Sequence, residues 1–290
     1  MAFSIHVSRW KGKTVNSGWK LFLANKGAVA GAILLAIIAF AGIFGHWLYP
    51  VSATEIVAAP LEAPSIALPM GADYLGRDVF AGIMHGAGTT LLISLAATLT
   101  TVIIGLFLVG ATSGFFGGKV DNILMRITEF FQVLPPILLA MVLVAVFGTD
   151  IWIVILVIGL VSWPPLARLT RAEFLKLKQR EFIRAEYSIG SSNLNIMFRV
   201  LLPNASPPLI VATALTVGTA LLFESGLSFL GLSDPDVISW GYMIGSSRDY
   251  IFDAWWSVIY PGTAIFLTVL SISLLGDGLN DALNPNLRER

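Results

Sequence analysis

The sequence contains no cysteine, which excludes disulfides, thiolate metal sites and thiol redox chemistry. Charge is almost as scarce. Only 12% of the 290 residues are Asp, Glu, Lys or Arg, about half the share found in soluble domains. Histidine occurs three times, at His6, His46 and His85, and spacing suggests no second ligand or triad partner for any of them. A phosphate-cradling loop is missing as well. The nearest string, Gly114–Val120, has Ser113 where the first glycine belongs and valine after Lys119. It reads as a turn at a membrane edge. No charged residue falls at the centre of any long apolar run. Carriers coupled to protons or sodium usually need such groups, or broken helices, at the membrane midplane.

What the chain has in abundance is apolar length. It is 56% hydrophobic with a mean hydropathy of +0.80, and several runs approach or exceed the ~20 residues that cross a bilayer as a helix. The expected fold is all-α, with six spans: Gly27–Tyr49, Gly88–Gly110, Phe130–Phe147, Ile151–Ala167, Ala205–Phe223 and Ala254–Leu275. The first run is too long for a signal-peptide core and reads as a retained span. Residues 1–26 form a basic segment before it, with Trp10 and Trp19 among the bases. Residues 50–87 make a proline-rich connector ending in a short interfacial piece, Val79–Gly86. Residues 88–283 hold the other five spans, with loops at 168–204 and 224–253, and 284–290 is a tail. Pro135 and Pro136 predict a kink or a broken first turn. The pairs Gly82/Gly86, Gly110/Gly114 and Gly114/Gly118 have the spacing of close helix contacts.

The placement of charge sets an orientation. With six spans, one side holds sixteen of the eighteen Lys and Arg residues; the other holds only Arg77 and Arg248. The basic side is expected to be cytoplasmic, with both termini there.

Seven of those bases lie in Arg168–Asn204. Its first part has helical composition and extends the fourth span. A short helix then ends at Gly190, Ser191–Asn193 suits a turn or N-cap, and a second short helix ends at Pro203. Such a knob, with Tyr187, Ile189 and Met197 available, can dock into a groove on another protein; the alternative is a solvated linker. Inside the spans, Thr98, Thr101, Thr213, Thr216 and Thr219 are candidates to line a wet path. They can equally bond their own helix backbone.

The series Ala185, Glu186, Tyr187, Gly190, Ser191, Met197, Val200, Leu202 and Pro203 resembles the EAA loop of binding-protein-dependent ABC importer permeases. It departs at Arg184, where that pattern has glutamate, and at Glu186, where it has alanine. Leu75–Phe80, Gly226–Gly231, Ser239–Gly241 and Leu275–Leu283 add to the likeness, in order. Nearly the whole chain resembles the C-type permease subunit of dipeptide and oligopeptide importers, a family that includes nickel and glutathione systems. The resemblance implies a type I ABC importer permease fold in a bacterial-type inner membrane. It also implies a homologous second permease subunit and two ATPase subunits that carry ATP and Mg, with no cofactor on this chain. An extracytoplasmic substrate-binding protein would contact the 224–253 loop, with Asp234, Asp236 and Trp240 as candidate contacts. No nucleic acid is implied; the remaining partner is membrane lipid. The same fold importing nickel chelate or glutathione, a stand-alone secondary carrier, and a structural scaffold are the rival readings.

Overall fold

The computed structural model describes residues 19–283. Most of the basic N-terminal segment and the tail lie outside the described residues. Within them the regular structure is helical, apart from two isolated β-bridges in the connector, Ile56 with Arg77 and Ala72 with Asp78.

Helix α1 spans Lys26–Leu48. Asn25 caps it, its side chain accepting the Ala28 N–H at 3.1 Å. Helix α2 runs from Val79 to Phe116 as a single rod, with wide π turns over Val102–Ala111. The expected interfacial piece at Val79–Gly86 is therefore the first part of this helix. Asp78 caps it through Phe80 and Ala81, and no proline or charge follows to interrupt it. At 38 residues it is about 57 Å long, nearly twice a hydrocarbon core.

The third expected span is broken. Helix α3 (Gly118–Val133) and helix α4 (Pro136–Phe147) meet at 86°. Pro135 and Pro136 offer no N–H to the turn before them, so the kink expected there becomes a full corner. Alone, α4 is about 18 Å long and cannot cross a bilayer. Helix α5 follows over Ile151–Lys178, then the short α6 (Glu181–Ser188). Helix α7 runs from Asn193 to Phe229. The expected stop at Pro203 does not occur, because π turns over Ile196–Leu201 absorb the missing donor. Helix α8 (Trp240–Ser247) is a short inserted piece, and α9 spans Trp256–Leu283. Among the described residues five helices are long and apolar enough to cross a membrane, or six if the bent pair counts as one span.

Close glycine contacts fix the packing. A Cβ on Gly110 would meet Thr170 Cβ at 2.6 Å, and one on Gly114 would meet Phe174 Cβ at 2.6 Å, so α2 and α5 approach at backbone distance. Gly118 does not share this role; its surroundings are open. At the basic end one cluster joins α2, α5, α6 and α7 through Phe115, Phe174, Ile183, Met197 and Leu201. Asn25 Nδ2 donates to Asp281 Oδ2 at 2.9 Å at the same end, joining the start of α1 to the end of α9. At the opposite end Ile93, Val144, Ile155 and Leu227 join α2, α4, α5 and α7. There too Tyr49 donates to Asp78 Oδ2 at 2.6 Å. That bond to a carboxylate, reinforced by burial, pushes the Tyr49 pKa up to about 12.

Candidate functional site

The basic end presents a corner between two helices. It begins where α5 leaves the apolar layer. Arg171 grips Asp121 of α3 with two guanidinium bonds, at 2.5 and 2.6 Å, and Lys178 donates to Phe115 O. These bonds hold α5 against the α2–α3 turn. After Lys178 the chain reverses into α6, whose Ile183 is its one buried side chain and inserts among Phe174 and Met197.

The turn itself is built on Gly190, whose φ of +80° suits glycine and strains any other residue. Nothing lies within 4 Å of where its Cβ would be, so the demand is purely on the backbone. Ser191 donates to Glu186 Oε2 at 2.5 Å. Glu186, one of the two departures from the EAA pattern, thus closes the turn from inside. Ser192 caps α7 by accepting the Asn195 N–H.

The expected docking residues divide. Ala185, Tyr187 and Ile189 are exposed, Ile189 at 78%. Met197 is not available: it is 5% exposed and packs into the cluster around Phe174. Val200 and Leu202 are half-buried against that cluster, while Pro203 is exposed on α7. Sequence reasoning missed Phe182, Leu194 and Phe198, which are 42%, 64% and 42% exposed. For Phe182 and Phe198 the signal lay in the 3.6-residue period, since each is one residue from an inward side chain, Ile183 or Met197. Leu194 shares the spacing of Met197 and Leu201, so the period did not mark it as exposed.

The five threonines also divide. Thr98 and Thr101 are both buried, Thr101 facing Gly159 O of α5 at 3.5 Å, so packing within this chain withdraws both from any path. Thr216 donates to Ala212 O and Thr219 to Leu215 O, the self-bonding alternative. Thr213 is half-buried. Thr219 borders a cavity.

At the opposite end, α7 continues past Phe223 to Phe229, which carries Glu224 into the helix bundle. Its carboxylate is 2% exposed and accepts hydroxyls from Ser239 at 2.6 Å, Ser228 at 2.9 Å and Ser225 at 3.4 Å. Sequence reasoning placed it in a polar loop because it sits at the edge of the apolar run. The Glu224/Ser228 spacing of four was the available signal. Trp240 is likewise not a surface contact: it is 2% exposed, donates Nε1 to Ile83 O at 3.0 Å and its backbone N–H to Thr90 at 3.0 Å. Asp234 is half-buried and accepts the Asp236 N–H; Asp236 is exposed. The most exposed large apolar groups at this end are Ile66 and Phe252. His46, expected to stand alone, has His85 beside it at 5.6 Å between ring centres. Among the described residues no three His, Asp or Glu come together to hold a metal.

Residues 106–289 match the family profile described as binding-protein-dependent transport system inner membrane component. Residues 16–64 match the N-terminal TM domain of oligopeptide transport permease C. The Di/tripeptide transport system permease protein DppC of Pseudomonas aeruginosa is 38% identical over 278 residues, covering 93% of this chain and 91% of its own length. The Dipeptide transport system permease protein DppC of Escherichia coli is 39% identical over 279 residues, covering 93% of each chain. Among solved structures, a chain of the MetNI methionine ABC transporter in an inward-facing conformation aligns with a TM-score of 0.55. It covers 70% of this chain and 96% of that one at 21% identity, a likeness of fold.

Proposed function

Because this chain belongs to the family of binding-protein-dependent transport system inner membrane components, we propose that it forms half of a pore for dipeptides or oligopeptides. A second, homologous permease subunit supplies the other half. An extracytoplasmic binding protein delivers the cargo, and two ATPase subunits supply the work. The observation that carries this reading is the corner at Gly190. Its exposed apolar side chains, Phe182, Tyr187, Ile189, Leu194 and Phe198, stand among bases at the end expected to be cytoplasmic. Large apolar groups raised on a polar loop mark a protein-docking surface.

The mechanism follows from rigid connections. Ile183 and Met197 lock α6 and the start of α7 into one cluster with Phe174 of α5. A push on the corner therefore moves α5 and α7 together. Both helices cross the apolar layer, so closure of the ATPases is transmitted as a tilt of this pair, and the pore alternates between its two openings. Tight packing is what allows a displacement to travel this way. At the opposite end, Glu224 and Ser239 tie α7 to α8, so the same tilt reaches the surface that meets the binding protein.

The peptide cargo rests on the named relatives and on the C-type likeness of the whole chain. Uptake of labelled dialanine by proteoliposomes holding the full importer tests it. Uptake that needs ATP and the binding protein supports peptides. Uptake of nickel chelate or glutathione with none of dialanine overturns the cargo and leaves the permease role standing.

A further inference from the structure

Three helix positions converge on one depth in the apolar layer. The corner between α3 and α4 lies about 18 Å from the Phe147 end of α4. Ser162, Pro164 and Pro165 begin about 16 Å from the Ile151 end of α5. Thr219 lies about 15 Å from the Phe229 end of α7. These ends belong to one side of the molecule: three residues join α4 to α5, and Leu232, just past α7, packs on the same cluster as Ile151. All three positions therefore fall near the middle of a ~30 Å hydrocarbon core, and they enclose a half-open cavity of about 350 Å³. That is within the range of small-ligand sites, ~300–1,000 Å³.

The cavity lining is mainly apolar, and its few polar groups carry no charge. No Asp, Glu, Lys or Arg borders it. Ser162 Oγ is shielded from solvent and has no hydrogen-bond partner among the described residues. Gln132, on the last turn before the corner, brings an amide that can donate and accept. Thr219 gives its hydroxyl hydrogen to Leu215 O at 3.3 Å, which leaves oxygen lone pairs for a donor. Pro164 and Pro165 have no N–H for the carbonyls of Leu160 and Val161 four residues earlier. Phe131 and Phe223 form the apolar flanks. Backbone irregularity at membrane depth is tolerated where it lines a cavity, and in membrane transporters it marks the substrate site.

We propose that this cavity is a mid-membrane contact site for peptide in transit, in which Gln132 and Thr219 bond the peptide linkage itself. The proposal rests on the peptide reading above. A peptide bond presents one N–H donor and one C=O acceptor, which is what uncharged amide and hydroxyl groups match. Groups of this kind read backbone and ignore side-chain sequence, and the absence of charge keeps the termini from being held too tightly to leave.

The test uses the complete importer in proteoliposomes, with labelled dialanine uptake and ATP hydrolysis stimulated by the liganded binding protein both measured. The double variant Gln132→Leu with Thr219→Val is expected to lower uptake about tenfold, the loss of about 1.4 kcal/mol of bonding, and to keep stimulated hydrolysis within about twofold, well inside that energy. Thr219→Trp, which fills the cavity, is expected to stop uptake with hydrolysis retained. Wild-type uptake in both variants overturns the site. Parallel loss of uptake and hydrolysis in both also overturns it, and assigns the cavity to subunit packing or lipid. Absence of dialanine uptake by the unaltered importer overturns the peptide reading, and the peptide-bond assignment with it.

Discussion

Ser239 donates its hydroxyl to Glu224 across 2.6 Å, while the same oxygen accepts the N–H of Tyr242 at 3.1 Å. One serine thus caps α8 and anchors it to a buried carboxylate on α7. Gly241 and Gly245 let the backbones meet beside this bond; a Cβ on Gly241 would lie 2.8 Å from Ser225 Cα. Glu224→Ala leaves the hydroxyls of Ser228 and Ser239 buried without their acceptor. The expected cost is about 2–4 kcal/mol from unsatisfied polar groups. Glu224→Gln keeps an acceptor and should cost less. Thermal unfolding of the detergent-solubilised importer, followed by loss of monodisperse complex, ranks the two; equal stability of Glu224→Ala and the wild type refutes the anchor.

Gly190→Val forces a β-branched residue to a φ of +80° at a cost of about 1–2 kcal/mol. Because the space around it is open, the change should leave membrane insertion intact and misplace the corner. Uptake is expected to fall further than ATP hydrolysis. Normal coupled uptake would remove the turn from the mechanism.

Asp121 and Arg171 should be coupled energetically. The pair is partly exposed, with side-chain exposures of 12% and 33%, so its interaction is expected at about 1–2 kcal/mol, between the values of surface and buried pairs. A double-mutant cycle with Asp121→Asn and Arg171→Ala measures it. Strict additivity contradicts a role in holding α3 to α5.

Tyr49 offers a pH test outside the spans. Its phenol is pushed up to about 12 by its bond to Asp78 and by burial, against about 10 in an unfolded chain. A raised folded pKa means the stabilising contribution is fully present below about pH 10 and is lost as pH rises towards 12. The difference between ultraviolet titrations of the wild type and Tyr49→Phe should isolate one phenol with a midpoint near 12. A midpoint near the ordinary value of about 10 contradicts the bond.

Much of this architecture was legible in the residues, and its misreadings have physical causes. Charge-free runs located the helices because the apolar layer of a membrane excludes charged side chains. The EAA spacing located the corner, since Gly190 must stand where the backbone turns left-handed. Proline was read too strongly as a stop at Pro203, which sits inside a continuous helix because wide turns absorb its missing donor. Burial was less legible than position. Met197 and Trp240 face inward although they lie in polar stretches, and Glu224 is internal although it borders a loop. A linear sequence does not show which face of a helix a neighbour covers.

The absence of native cysteine makes sidedness directly measurable. Single cysteines at Ser191 and Phe252 should label from opposite faces of the membrane, Ser191 from the cytoplasmic one. Ser239, being 2% exposed, should resist labelling from either face. Labelling of Ser191 and Phe252 from one face would overturn the assigned orientation.

The central claim is that an ATPase grips the corner around Gly190. A single cysteine at Ile189, 78% exposed, in the otherwise cysteine-free chain tests it with a short cross-linker in the active importer. The account predicts a covalent adduct with an ATPase subunit whose yield changes when ATP is added, and loss of uptake in the cross-linked fraction. A fully active importer whose Ile189→Cys corner never joins an ATPase subunit, with or without ATP, would contradict it.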